Sequence, residues 1–242
     1  NVSNSGTQSI NFITGGTLNG FSGAYLTGFS ITVTAGQTIT MNEGQVNAHI
    51  ASVSTSDVIK VNEVTATSEV TVLANGDKIA DGGITSITLT DTELETFIST
   101  DSYGADPFAA SSITLGAVSG NETTVVANAA KVANDGVTSI ELGTDTTFKT
   151  AMANNAAAFA DGGVSLGSEA ISGTDETASV VSNIAKVASG EISSITLSGD
   201  VEFKTVMAAN AAAFDDGGVS LTDTEIDTGT AEIASVVSNA AK

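Results

Sequence analysis

Short runs in which apolar and polar residues alternate recur along most of the chain. In six of them, Ile or Val is followed two positions later by Leu. This period of two is typical of a strand with one buried face. The six predicted strand cores are Ile87/Leu89, Ile113/Leu115, Ile140/Leu142, Val164/Leu166, Ile195/Leu197 and Val219/Leu221.

Longer stretches between these strands carry apolar residues at helical spacing. Phe148, Met152, Ala156 and Phe159 follow one another at intervals of four, four and three residues, which places them on one face of a helix. Thr144 and Asp145 precede them and are the candidate N-caps. The pattern predicts amphipathic helices between the strands.

The helix and strand patterns repeat along the chain. One repeated segment starts at Val125 and again at Val180. A second starts at Phe148 and again at Phe203, and in both cases the two copies are 55 residues apart. A more diverged copy begins at Val72. The chain therefore carries three copies of a unit of roughly 55 residues, and each copy splits into two coils of about 27 residues.

This order of elements predicts an α/β fold. A strand, a helix and a second strand joined by short connections make parallel neighbours with right-handed crossovers. We predict a right-handed α/β solenoid over residues 71–242, with a parallel sheet and with one strand and one helix in each coil of about 27 residues. In such a solenoid Ile87, Ile140 and Ile195 are expected to line up in one continuous sheet.

Residues 1–70 follow a different pattern, which predicts an all-β N-terminal domain or cap. Residues 29–33 and 39–41 alternate on either side of Gly36, as in a β-hairpin. A β-rich cap would cover the strand edge of the first coil. Further strands are predicted at residues 9–14, 46–53 and 58–64.

Composition excludes several classes of function. With 41% apolar residues the chain is expected to fold, and its net charge of −21 repels nucleic acid. No apolar run reaches the length of about 18 residues that a membrane span needs. The absence of cysteine excludes disulfides and thiolate metal sites. The first residue is Asn1, which favours removal of a leader peptide.

Candidate catalytic chemistry is sparse. His49 is the only histidine, and without cysteine or arginine no Ser-His-Asp or similar constellation can be assembled. We predict that His49 is a strand residue. Asp215 and Asp216 are adjacent, which is a poor arrangement for the two carboxyl groups of a glycosidase. We therefore expect that the protein is not an enzyme.

Metal binding is the stronger chemical hypothesis. Four aspartates occupy turns between a predicted helix and the next strand, and stacked oxygen-rich turns are where hard cations bind repeat proteins. The Gly-Gly pairs beside three of them are interpreted as helix stops. No cofactor is required, calcium is the candidate ligand, and hydrated turn carboxylates are the alternative. The candidate ligands are Asp81, Asp135, Asp161 and Asp216.

Lysine and asparagine also recur at equivalent repeat positions. The lysines are interpreted as helix-surface residues kept by duplication, with a ligand groove as the alternative. The asparagines are expected to hydrogen bond backbone groups of adjacent coils. For Asn155 and Asn210, solvent-facing helix positions are the alternative. The lysine files are Lys78, Lys131, Lys186 and Lys242, and Lys149 and Lys204; the asparagine file is Asn75, Asn128, Asn183 and Asn239.

The repeat breaks off at residues 236–242, partway through a fourth unit. An uncapped solenoid end exposes strand hydrogen-bonding groups and apolar interior, which favour stacking on another chain. We therefore predict an extracellular structural protein that assembles head-to-tail with copies of itself into a filament, sheath or surface layer. The alternative is an adhesin-type binding module of a longer exported repeat protein, with its outward Ser and Thr residues on a glycan or protein ligand.

The helical segment Val-Val-Ser-Asn-Ile-Ala-Lys at 180–186, followed by the Ser/Thr strand at 192–198, resembles the repeats of large exported bacterial surface proteins of the surface-layer and adhesin type. The resemblance is compositional and covers residues 71–242. It implies a location at the cell surface, self-association or adhesion, and often calcium. The calcium nonapeptide of some such repeats is missing here.

Overall fold

Strand and helix alternate through the part of the chain that the computed structural model describes, which is residues 8–12, 14–17, 28–99, 106–223, 225–226 and 229–242. The chain forms two units. Unit 1 takes residues up to Thr114 together with 131–133, and unit 2 takes residues 115–130 together with 134–242.

Unit 1 contains three α-helices and eight strands within its described residues. The helices are α1 (Glu43–His49), α2 (Glu69–Leu73) and α3 (Asp91–Ser99). The strands are β1 (Gln8–Phe12), β2 (Gly16–Thr17), β3 (Phe29–Val33), β4 (Ile39–Thr40), β5 (Ile59–Val61), β6 (Ile79–Ile84), β7 (Ile87–Thr88) and β8 (Ile113–Thr114).

Unit 2 contains five α-helices and six strands within its described residues. The helices are α4 (Glu122–Ala127), α5 (Asp145–Asn155), α6 (Thr174–Ser182), α7 (Asp200–Asn210) and α8 (Thr230–Ser238). The strands are β9 (Gly116–Ala117), β10 (Val137–Glu141), β11 (Val164–Ser165), β12 (Glu169–Ala170), β13 (Ile192–Leu197) and β14 (Val219–Leu221).

All strand pairs in the described residues are parallel. Unit 1 has the strand orders β1-β3, β2-β4-β5-β6 and β7-β8, and unit 2 has β9-β10-β11 and β12-β13-β14. Paired residues lie 20–26 positions apart in the sequence, close to one predicted coil. From β4 onward a helix lies between successive partners, because parallel strands need a crossover connection. The predicted α/β class with parallel strands is confirmed.

The sheets are short and separate, so the prediction of one continuous sheet is wrong. Ile87, Ile140 and Ile195 lie in three different sheets. Residues with left-handed backbone interrupt the ladders, for example Gly116 at φ +74° and Gly167 at φ +71°. The inward residues of the first five predicted strand cores are all buried. Each short strand therefore still contributes to the core.

The N-terminal segment does not form the predicted hairpin. β3 pairs in parallel with β1, and β4 pairs in parallel with β2 and β5 in a different sheet. Gly36, at φ +77°, turns the chain between β3 and β4. Each strand buries its own inward residues, Ile31 and Val33 on β3 and Ile39 on β4. Alternation predicts strands but carries no information about their partners.

Residues 46–53, predicted as a strand, form the end of α1 and a 3₁₀ turn at Ile50–Ser52. A capping box starts this helix: the Asn42 side chain accepts from the Gln45 N–H, and the Gln45 side chain accepts from the Asn42 N–H. His49 therefore ends a helix and is not a strand residue. The segment before residue 71 is mixed α/β, so the prediction of an all-β segment is wrong.

Helix α5 shows how far the predicted helical face extends. Phe148 is buried, and the hydroxyl of Thr144, one of the two predicted caps, accepts from the backbone N–H of Thr147 at 3.2 Å. Asp145, the other candidate, is the first residue of the helix. The helix ends at Asn155, where a 3₁₀ turn takes over. Phe159, predicted on the same helix, lies beyond this turn in a parallel bridge.

The Gly-Gly pairs at 162–163 and 217–218 turn the chain into the following strand, and the pair at 82–83 lies with Asp81 inside β6. None of the three pairs is the helix stop that we predicted. Gly162 has a left-handed φ of +70°. Gly163 lies against the preceding coil, where a Cβ would come within 2.7 Å of the Thr138 carbonyl oxygen. Gly218 approaches the Ser193 carbonyl oxygen in the same way, at 2.8 Å. The second glycine is required because two backbones come close together.

Candidate functional site

The longer lysine file links neighbouring coils. Lys186 Nζ lies 2.9 Å from Asp161 Oδ1 and 3.8 Å from Asp135 Oδ1. Lys242 Nζ lies 2.9 Å from Asp216 Oδ1. The two members in unit 1 act similarly: Lys131 pairs with Asp106, and Lys78 donates to the carbonyl oxygens of Ile50 and Ala51.

Three of the four calcium candidates therefore lie beside an ammonium group. Asp135 and Asp161 approach the same lysine, Asp216 pairs with another, and Asp81 has no ion pair among the described residues. In the same part of the chain, no three His, Cys, Asp or Glu side chains are grouped to hold a metal ion. Calcium binding stays a prediction, and a cation at three of these turns would compete with a lysine.

The shorter lysine file joins successive helices. Lys149 on α5 lies 3.3 Å from Asp175 and 3.6 Å from Glu176, both on α6. Lys204 on α7 pairs with Glu232 on α8. Asp175 raises the pKa of Lys149, and Lys204 lowers the pKa of Glu232. These pairs orient helices at the surface, where each contributes little to stability.

The asparagines divide into two groups. Asn155 donates to the carbonyl oxygen of Ala129 at 3.1 Å, and Asn210 donates to that of Val187 at 3.0 Å, so these two bond the preceding coil. The four-membered file instead bonds its own helix, and the prediction of contacts to adjacent coils is wrong for it. Asn75, Asn128, Asn183 and Asn239 each donate to the carbonyl oxygen four residues earlier, at 2.9–3.0 Å.

His49 takes the position at the end of α1 that Asn75 takes after α2. Its side chain is 1% exposed, and neither ring nitrogen has a hydrogen-bond partner among the residues that the structure describes. The only histidine of the chain is therefore part of the core of unit 1.

Two glutamates that the sequence analysis missed also join coils. Glu191 Oε2 accepts hydrogen bonds from backbone N–H groups of the preceding turn. Burial raises the pKa of Glu191, but the hydrogen bonds to its carboxylate outweigh burial, so the pKa is lowered overall. Glu43 accepts from Thr65 and Ser68, and the Thr65 hydroxyl is the largest cause that lowers the Glu43 pKa to about 2. The donors to Glu191 are Leu166, Gly167 and Ser168, at 3.0, 2.8 and 3.1 Å.

One apolar face of unit 2 is not covered by any of the residues that the structure describes. On α8, Ile233 is 44% exposed and Val237 is 71% exposed, and no residue of this helix is buried. Ile226, on the segment that follows β14, is 41% exposed. We refer to Ile226, Ile233 and Val237 as the open face.

The same positions one copy earlier are less exposed. Ile171, the counterpart of Ile226, is 6% exposed, and Val180 is fully buried whereas its counterpart Val236 is half-buried. Thr177 and Val181, the counterparts of Ile233 and Val237, are half-buried. The open face is therefore more exposed than the matching surface of the inner copy.

The open face is also more apolar than its inner counterpart. Asp175 and Thr177 on α6 correspond to Ala231 and Ile233 on α8. The helix that lacks cover has thus lost two polar residues. Ile233 and Val237, four residues apart on one face of α8, form an exposed apolar patch of the kind that is typical of a protein–protein contact.

None of the helices in the described part of the chain has the length and hydrophobicity to cross a bilayer. Comparison of the chain with protein-family models, with curated proteins and with solved structures gave no match.

Proposed function

We propose that the chain is an extracellular structural protein whose coils stack as a right-handed α/β solenoid and which assembles with copies of itself into a filament, sheath or surface layer. The open face carries this proposal. Its three aliphatic side chains are exposed at positions whose counterparts in the inner copy are buried or half-buried. Exposed apolar patches rimmed by polar residues are characteristic of association surfaces.

The contacts between coils support the stacking. Strands pair in parallel with partners about one coil away, Gly163 and Gly218 bring neighbouring backbones together, and Asn155 and Asn210 bond the preceding coil. Units of this kind bury their apolar residues against neighbours, so the open face, which no described coil covers, is suited to contact with a cover of its own. A second copy of the chain is the cover that we propose.

Light scattering and electron microscopy test the proposal. The purified chain is expected to increase in mass with concentration and to form filaments or layers, and the measurement is made with and without millimolar calcium. The variant Ile233→Asp/Val237→Asp is expected to stay monomeric with an unchanged circular dichroism melt. Val70→Asp, at a residue of α2 that is 77% exposed, is the control and should assemble normally. A wild-type chain that stays monomeric at its solubility limit in both buffers contradicts the proposal.

Adhesion is the second candidate function. Exposed hydroxyl side chains lie in register on neighbouring strands: Thr88 opposite Thr114 in unit 1, and Thr196 opposite Ser220 in unit 2. Such arrays present hydrogen-bond donors and acceptors to a glycan or protein ligand. Glycan-array binding by the monomeric Ile233→Asp/Val237→Asp variant would support this function, and binding that is lost when Thr196 and Ser220 become alanine would locate it.

A further inference from the structure

A groove in unit 2 lies at the carboxyl ends of its parallel strands. Its volume is about 410 Å³, within the range of about 300–1,000 Å³ that is usual for small-molecule sites. Thr196 on β13 lines it together with Ser198 and Thr222, which follow β13 and β14. Thr174 and Thr177 line it from the first turn of α6. Crevices at the carboxyl ends of parallel strands are a common place for ligands in α/β proteins.

Three hydroxyl groups of this groove have no partner within the described part of the chain. They belong to Thr174, Thr177 and Thr196, of which the first and last are exposed and Thr177 is half-buried. Threonines on the neighbouring helices behave differently: Thr150 and Thr205 each donate to the carbonyl oxygen four residues earlier, at 3.0 Å. A hydroxyl group without a partner can both donate and accept. The groove therefore presents three such groups to a ligand.

Glu202 supplies a fixed acceptor in the same groove. Its Oε2 accepts from the backbone N–H of Ser198 and from the Ser198 hydroxyl, the latter at 2.7 Å. Its Oε1 accepts from none of the residues that the structure describes. A carboxylate that is already held in place loses little freedom when it accepts from a ligand. The methyl groups of Ala178 and of the threonines add apolar surface beside it.

A groove lies at the corresponding place in unit 1. Its volume is about 350 Å³, and Thr40 lines it from β4 as Thr196 does from β13. Asn62, which follows β5, also lines it. Because the groove recurs at strand ends, we attribute it to the geometry of the coils and not to a single loop. Glu43 and Glu63 line the groove of unit 1 as well, so the groove of unit 2 offers more hydroxyl groups and fewer carboxylates.

We infer, on the basis of the adhesive function proposed above as the second candidate, that the groove of unit 2 binds a neutral oligosaccharide. Sugar hydroxyls donate and accept, which matches the hydroxyl groups of Thr174, Thr177 and Thr196. The carboxylate of Glu202 accepts from one further sugar hydroxyl. This carboxylate and the net charge of −21 disfavour sialylated, sulfated and other acidic ligands. The groove also differs from the strand array of Thr196 and Ser220, because it is lined from α6 and not by Ser220.

Single substitutions test the groove. They are made in the Ile233→Asp/Val237→Asp background, so that assembly does not contribute, and are probed with an array of neutral and acidic oligosaccharides. Calorimetric titration then follows the neutral oligosaccharide that binds most strongly. Thr177→Val and Thr196→Val, which keep the side-chain shape, should each weaken its binding about fivefold through loss of a hydrogen bond. Ser220→Ala is the matched control, since it removes an exposed hydroxyl opposite Thr196 but outside the groove, and should leave binding and the circular dichroism melt unchanged.

The outcomes separate the groove from the function on which it rests. Binding that weakens in Thr196→Val and Ser220→Ala, but not in Thr177→Val, belongs to the strand array; it overturns the inference and keeps adhesion. An array on which no oligosaccharide binds overturns the inference and leaves only a protein ligand for adhesion. Stronger binding of acidic than of neutral oligosaccharides overturns the inference as well.

Discussion

Two stretches of unit 2, residues 164–188 and 219–242, have closely similar sequences and different surroundings. In both, a short strand leads to a helix of nine residues, α6 in the first and α8 in the second. Glycine caps both helices, with a glutamate three positions later. Yet α6 buries Val180, and α8 buries no residue. The local sequence is therefore sufficient to form the helix, whereas the burial of its apolar residues depends on the next coil.

This difference shows where the stability of the repeat resides. An inner coil gains apolar burial from both neighbours, and the last described coil gains it from one side only. The apolar residues of the open face are exposed to water, so burying them in an association contact is favourable. The predictions below compare covered and uncovered positions.

The largest effect is expected at Ile171 and its counterpart Ile226. Ile171→Ala should lower the free energy of unfolding by about 2–4 kcal/mol, because it leaves a cavity at a buried site. Ile226→Ala should change it by less than about 0.5 kcal/mol in the monomer. Urea unfolding in the Ile233→Asp/Val237→Asp background measures both. Equal costs would show that the two sites are equally covered.

The next largest loss of stability is expected when the contact of Gly163 with the preceding coil is disturbed. Gly163→Ala should cost about 3 kcal/mol, because the added Cβ collides with the Thr138 carbonyl oxygen. Its neighbour Gly162 has open space around it, so Gly162→Ala should cost only about 1 kcal/mol for its left-handed backbone. Thermal and urea unfolding of both variants test the order. A larger loss at Gly162 would contradict the proposed close approach.

A smaller effect on stability is expected from the change in protonation of Glu169, on β12, with pH. Burial, and then the carboxylate of Asp145, raise the pKa of Glu169 above its usual 4.5, and its Oε2 has no hydrogen-bond partner in the described residues. Because the folded-state pKa is the higher one, this group's contribution to stability is complete below the unfolded pKa and is lost as pH rises through the folded pKa.

Glu169→Gln should therefore stabilise the protein at neutral pH, by less than about 1 kcal/mol, and have little effect at acidic pH. Melting temperatures of wild type and variant across this pH range measure the difference. An equal gain at both ends of the range would assign the effect to packing and not to titration.

The smallest effect is expected at Lys186, which links the turns of three coils. The partner side chains of Asp161 and Asp135 are 73% and 69% exposed, so Lys186→Met should cost less than about 1 kcal/mol. This cost should vanish near 1 M salt, where the screening length is about 3 Å. Urea unfolding at low and high salt measures it. A cost that is independent of salt would indicate packing of the lysine stem.

Periodicity predicted many of the helices and strands but few of the pairings between strands. The buried strand cores and the helical face of Phe148 follow from spacings of two and of three to four residues, which act within one element. The hairpin at residues 29–41 and the continuous sheet failed, because partner choice and strand length depend on residues about one coil away and on left-handed turns such as Gly167. The capping box of Asn42 and Gln45 was a local signal for α1 that the strand interpretation of residues 46–53 missed.

The candidate site was predicted in part. The repeat itself places α8 at the position of α6 in the preceding copy, and Ile226 and Ile233 stand at positions whose counterparts can be read from the alignment of copies. Their exposure cannot be read from it, since it depends on which strand or helix covers them. Asp106 and Glu191 join coils through contacts to residues more than 20 positions away, so no local sequence pattern predicts these contacts.

The tight approach of Gly163 and Gly218 to carbonyl oxygens means that main-chain atoms set the distance between these coils of unit 2. Side chains on the outer surface do not enter that distance. Outward residues are thus free to vary in size and charge while the interval between them stays constant, and the unit acts as a molecular ruler.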